Sequence, residues 1–139
     1  MAIYIMTDAD VNVNAVSLSD HVESVSVSVD AEDVDITAMG ATSRAHAPGL
    51  RDDTVTVNFF QDFAASEIDA TLFPLVGNQT GVAVIVKPTS AAVSTTNPSF
   101  TATMVLLSYQ PISGTIGAAS QTSVTFACAQ GSSIAKATA

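Results

Sequence analysis

Apolar and polar positions alternate most cleanly just before the middle of the chain. Val55, Val57 and Phe59 fall on one side, and Thr54, Thr56 and Asn58 on the other. A period of two is that of a strand buried on one face. After Gln61 the period lengthens. Phe63, Ile68, Leu72 and Leu75 recur at wider spacings, which predicts one short helix over about 63–73 with an apolar stripe. Asp62 or Ser66 can cap its start, Glu67 and Asp69 suit a first turn, and Pro74 and Gly77 mark its end. No other stretch reads as a helix.

The remaining segments read as strands and turns. Residues 1–6 are β-prone and predict an edge strand or an arm, with 1–10 as the N-terminal element. Residues 11–16 alternate, and 19–21 form a turn. Val25, Val27 and Val29 alternate with serines, and Val22 is out of phase with them, which predicts a bulge near Glu23. An acidic run follows at Asp30, Glu32, Asp33 and Asp35, where Val34 and Ile36 resume the alternation. Residues 38–53 lack periodicity and predict a long loop, a feature that in a compact domain is usually functional or mobile. Residues 82–86 are continuously apolar and predict a strand buried on both faces or at an interface. Residues 88–98 predict a loop, 100–109 a long strand, 111–117 a turn and 122–128 another strand. The last ten residues, 130–139, are small and polar and predict a flexible tail. The fold class is therefore mainly β: a sandwich or barrel of about 6–8 antiparallel strands in one domain, with one flanking helix.

Composition sharpens this outline. Only 12% of the 139 residues are charged, about half the usual share, and serine and threonine stand in their place. A hydroxyl-rich, charge-poor exterior suits contact with other protein copies as well as it suits a plain β-domain. The net charge is −9, and all 13 acidic residues lie at or before Asp69, where the only lysines or arginines are Arg44 and Arg51. Lys87 and Lys136 stand alone in the acid-free remainder. This balance argues against gripping nucleic acid or an anionic membrane surface, both of which need clustered cations. A negative surface that repels a polyanion is the sharper alternative to mere solubility.

Catalytic chemistry finds little support. Residues 1–6 lack the basic start of a signal peptide, and no apolar run is long enough to span a bilayer. The single Cys128 sits in phase with Val124 and Phe126 and reads as a small buried apolar residue. His21 and His46 lack zinc-ligand partners at motif spacing, and the acids at 30–35 lack the glycine and terminal glutamate of a calcium loop. No phosphate loop or nucleophile elbow occurs. No cofactor and no enzyme activity is expected. Arg44 and Arg51, cations amid carboxylates, favour ion pairing to an acidic face of this copy or another.

Several short motifs, taken in order, carry a resemblance. They are Val-x-Leu-Ser-Asp-His-Val-x-Ser-Val-x-Val (16–27), Val-Asp-Ile-Thr-Ala-Met-Gly (34–40), Pro-Gly-Leu-Arg-Asp (48–52) and Asp-Ala-Thr-Leu-Phe-Pro-Leu-Val-Gly (69–77). Val-Lys-Pro (86–88), Thr-Ala-Thr-Met-Val-Leu-Leu-Ser-Tyr (101–109), Ile-Ser-Gly (112–114) and Ser-Val-Thr-Phe (123–126) follow. Over roughly 11–128 the chain resembles the major tail tube proteins of long, non-contractile phage tails. The resemblance implies a structural virion protein made in a host cytoplasm, with six copies closing a ring and rings stacking into a hollow tube through which double-stranded DNA passes. It implies strands shared between copies and partners that include a tape measure, a tail terminator and distal tail proteins. On this likeness the long loop, with Arg44, His46, Pro48, Leu50 and Arg51, docks a neighbouring copy. Glu23, Asp30, Glu32, Asp33 and Asp35 line the bore or the ring seam, and Phe63, Ile68, Leu72 and Leu75 pack the helix. A head-decoration or neck protein and, less favoured, a ligand-binding sandwich are the alternatives.

Overall fold

The computed structural model describes residues 3–139. The strands are β1 (Asp10–Val13), β2 (Val16–Ser17), β3 (Val22–Ser28), β4 (Ala31–Asp35), β5 (His46–Arg51), β6 (Thr54–Phe60), β7 (Val82–Lys87), β8 (Ser99–Ser108), β9 (Gln121–Cys128) and β10 (Ala135–Ala137). A 3-10 turn, Ser19–His21, precedes β3, and the helix α1 (Ile68–Leu72) runs on into a second, Phe73–Leu75. One antiparallel sheet has the order β2-β1-β7-β8-β9-β6-β3, with β10 added to β8. The sheet curls until β3, at one end of that order, faces β7 and β8 across an apolar groove of about 240 Å³. β4 and β5 form a separate two-stranded hairpin outside it.

The inner face of the curled sheet is the core. Val55, Val57 and Phe59 of β6, Val124 and Phe126 of β9, and Met104 and Leu106 of β8 are buried there with Val11, Val13 and Leu18. β6 behaves as its alternation predicts, with Thr54, Thr56 and Asn58 on the opposite face. The expected bulge is also present, as a register shift between Val22 and Ser24 against β6.

Several elements differ from expectation. The alternating stretch 11–16 breaks into two strands, because Asn14 and Ala15 both take positive φ (52° and 64°) and make a two-residue hairpin turn. β7 is buried on one face only: Val84 and Val86 point inward and Ala83 is exposed. The 38–53 loop contains β5, and the tail contains β10 and the buried Ile134. The arm expected over 1–10 includes Met1 and Ala2, which lie outside the described residues. Residues 3–6 form no strand, although Tyr4 donates its hydroxyl to the Pro88 carbonyl at 2.6 Å.

The helix starts five residues later than predicted. Phe63 is exposed, in the turn before it, and makes no helix packing, whereas Ile68, Leu72 and Leu75 are buried. The physical reason is local. Asp62 Oδ1 accepts the Ala64 N–H at 2.8 Å, and Ser66 has φ 63°, a left-handed value that interrupts any helix. Neither side chain caps α1. The helix is held instead from its side. Tyr109 donates its hydroxyl to Asp69 Oδ1 at 2.8 Å, and Gln61 Nε2 donates to the Tyr109 oxygen at 3.0 Å. Burial, together with Asp69, pushes the Tyr109 pKa up to about 12, so Tyr109 remains a neutral donor throughout the physiological range.

Candidate assembly surface

Apart from Met39 and Arg44 the side chains at 37–45 are short, and the β4–β5 hairpin has no core of its own. Its two strands pair through Val34–Ala47 and Asp35–His46, and Ile36 donates its N–H to the Ala45 carbonyl at 2.9 Å. The apolar side chains it carries have nothing to cover them: Met39 at the tip and Leu50 at the base are 103% and 81% exposed, and Val34 and Ile36 are exposed too. Arg44 Nη1 pairs with Asp35 Oδ2 at 2.7 Å, and His46 Nδ1 lies 2.8 Å from Asp33 Oδ1. Pro48 stands opposite Asp33. The hairpin thus brings Arg44, His46 and Pro48 together with Asp33 and Asp35.

Arg51 is placed differently. It pairs with Asp53 Oδ2 at 2.7 Å and donates to the Ile134 carbonyl at 3.1 Å, so its guanidinium closes the base of the hairpin onto the C-terminal segment. Asp53 is the buried partner that sequence reasoning missed. Its side chain is 0% exposed and also accepts the Ile134 N–H at 2.9 Å and the Asp30 N–H at 3.3 Å. Beside Asp52 it reads as surface charge, and only its place two residues before Val55, in phase with the buried face of β6, hints that Asp53 faces inward.

All five sequence-predicted acids are exposed. Asp33 and Asp35 are matched within the hairpin, while Glu23, Asp30 and Glu32 have no cationic partner among the described residues. On the open face of the sheet, Ser24 and Ser26 of β3, Thr54, Thr56 and Asn58 of β6, and Ser123 and Thr125 of β9 stand in register, a field of hydroxyls and one amide. Glu23, in the β3 bulge beside Ser24, and Asp30, which accepts from the Ser28 hydroxyl at 2.6 Å, flank it.

Two features fit association with other chains. Among the described residues β3 is hydrogen-bonded to β6 on one side only and its other edge has no strand partner. Near the helix, Phe63, Phe73, Val76, Leu107, Ile112 and Ile116 are all exposed. Among the described residues, no helix is long and apolar enough to cross a membrane.

His21 forms a further cluster. Its Nδ1 is 2.8 Å from Asp20 Oδ1 and 3.4 Å from Glu67 Oε2, and its Nε2 is 3.0 Å from Asp62 Oδ2. Burial works against the imidazolium, but the hydrogen bonds to Asp20 and Asp62 and the charge of Glu67 outweigh it, so His21 titrates above its ordinary value. A pKa raised on folding means that the charged form stabilises the fold. That contribution is full below the unfolded value of about 6.5 and is lost as pH rises through the folded value. Thermal melts in the presence of a chelator are expected to show stability falling as pH rises through neutrality, and His21→Gln to flatten that fall. An equal fall in the variant would assign the titration to another group.

No protein-family model and no curated protein matches the chain. Solved structures do share its fold. A chain from a structure described as the virion of a native gene transfer agent particle aligns at TM-score 0.71 and 14% identity, covering 92% of this chain and 95% of that one. A chain from the extended sheath-tube complex of an extracellular contractile injection system aligns at TM-score 0.70 and 10% identity, over 99% and 93% of the two chains. A third, from the tail of an empty gene transfer agent particle refined with C6 symmetry, gives TM-score 0.58 at 13% identity, covering 83% and 82%.

Proposed function

We propose that this chain is a tail tube subunit, a structural virion protein whose copies close into rings of six that stack into a hollow tube. The observation that carries this proposal is the hairpin outside the sheet. It holds Met39 and Leu50 in water, where a solitary domain gains nothing from them. The free edge of β3 gives neighbouring copies a strand to join, which would remove the open edge by closure. Two similar chains come from structures described as a sheath-tube complex and as a tail with C6 symmetry, in keeping with a tube and with six copies.

In this arrangement the hairpin docks a neighbour through Met39, Leu50 and Pro48. Arg44 and His46 reach the seam already paired, and Arg51 serves the base of the hairpin more than the neighbour. Glu23, Asp30 and Glu32 supply negative charge at the bore or ring seam, so that double-stranded DNA passes without sticking. The tape measure, terminator and distal tail proteins are the remaining partners, and the role is structural, without catalysis. A cap or tail-completion role is the second reading, because a chain from a tube-terminating cap shares the fold at TM-score 0.63. Electron microscopy of purified protein separates the two: long six-fold tubes support the tube subunit, and single closed rings support the cap. Particles that stay monomeric at high concentration would refute both readings, and a bore lined by lysine and arginine would refute the acidic channel.

A further inference from the structure

We propose that Asp20, His21 and Glu67 form a binding site for a divalent cation of the zinc class, a reading independent of tube assembly. The argument starts from the imidazole. Asp62 Oδ2, 3.0 Å from Nε2, holds the ring proton on that nitrogen. A carboxylate behind one nitrogen is the usual way a metal-binding histidine is oriented, with the lone pair of the other nitrogen presented to the ion. In the charged ring Nδ1 also carries a proton, donated to Asp20 at 2.8 Å with Glu67 at 3.4 Å, and an ion releases that proton to solvent and takes the freed lone pair between the two carboxylates. Electron-pair donors therefore converge from the 3-10 turn before β3 and from the residue that precedes α1. Among the described residues no lysine or arginine pairs with Asp20, Asp62 or Glu67, so three negative charges surround a group whose only compensation is a proton or a metal ion.

The spacing suits an ion. Ligand atoms of the three residues all lie within 4.8 Å of one another. Tetrahedral bonds of about 2.1 Å set ligand atoms about 3.4 Å apart. Glu67 already stands at that separation from Nδ1, and Asp20, an exposed side chain, reaches it by a small rotation. One imidazole nitrogen with two carboxylate oxygens favours zinc, cobalt or nickel over magnesium and calcium, which take oxygen ligands. A fourth position remains for water. Bound there, the ion would staple the turn at Ser19–His21 to the start of α1.

The test uses full-length protein freed of metal with a chelator and held at subunit concentrations below any assembly. Titration with zinc chloride at pH 7.5 is expected to show one zinc per chain by calorimetry and a melting temperature raised by about 5 °C. His21→Gln is expected to remove both signals, and Glu67→Gln to weaken zinc binding at least about ten-fold. His46→Gln, on the hairpin, should bind as wild type does. Should His21→Gln fail to fold, Glu67→Gln and Asp20→Asn carry the comparison. Undiminished binding in these variants, or an equal response to magnesium at the same concentration, overturns the site. Because the readout is on single subunits, a failure here leaves the tube proposal standing, and the reverse holds as well.

Discussion

Replacing residues 37–44 with Asn-Gly is expected to abolish tube formation and to leave a folded subunit. Ile36 and Ala45 are already joined by a backbone hydrogen bond at 2.9 Å, so a two-residue link closes the shortened hairpin in register. The excised segment contains Met39, Gly40 and Arg44, and none of its residues belongs to the buried core. Loss of exposed residues of this kind costs the isolated subunit about 0.5 kcal/mol, within the range of ordinary surface changes. Assembly loses the whole tip, together with the apolar side chain that water surrounds in the free subunit. Sedimentation and negative-stain microscopy measure the outcome. Tubes of normal length from the shortened chain would show that the hairpin is dispensable and that copies associate through the sheet edge or the helix end instead.

Asp53→Ala is expected to produce the largest loss of subunit stability, about 3 kcal/mol, which for a domain of this size lowers the melting temperature by about 10 °C. One buried carboxylate accepts from Arg51, from the Ile134 N–H and from the Asp30 N–H, and so joins the hairpin and the C-terminal segment to the start of β6. Removing it leaves the Ile134 amide buried and unpaired. Arg51 is 43% exposed and regains water, so the full cost of breaking a buried ion pair does not apply. Asp53→Asn should fall between the two, because an amide oxygen can still accept the Ile134 N–H. If alanine and asparagine melt alike and close to wild type, the carboxylate is not what closes this corner.

The parts of the fold legible in sequence are those where one face of a strand is buried and the other is wet. Val55, Val57 and Phe59 announce β6 because burial imposes the alternation, and the phase slip at Val22 announces the bulge for the same reason. β5 has no such imprint. Both faces of a projecting hairpin lie in water, Pro48 and Gly49 sit within it, and its register is irregular between Ala31 and Asp33, so nothing in the pattern separates strand from loop. β10 is similarly hidden, since Ala135, Lys136 and Ala137 carry little pattern and only Ile134 marks the docked segment. A helix over 63–73 overextends because Phe63 continues the run of spaced apolar residues, while the left-handed turn at Ser66 leaves no mark in hydrophobicity. Among site residues, Arg44 and Arg51 look alike in sequence. Only the fold shows that one belongs to an exposed tip and the other to a buried latch. His21 fails to register as a ligand because Glu67 and Asp62 reach it from more than forty residues away.

The hydroxyl-faced outer wall of β3, β6 and β9 has a consequence for how solution conditions act on this molecule. A stretch of surface with little fixed charge gathers few counterions, so added electrolyte has little there to displace. Ionic strength acts mainly where Glu23 and Asp30 flank that stretch, on the acids of the hairpin and on the partners that neutralise them. Whatever slides along or rests against the wall should therefore do so alike in dilute buffer and in brine, while attachments made through the projecting arm should loosen or tighten as the medium changes.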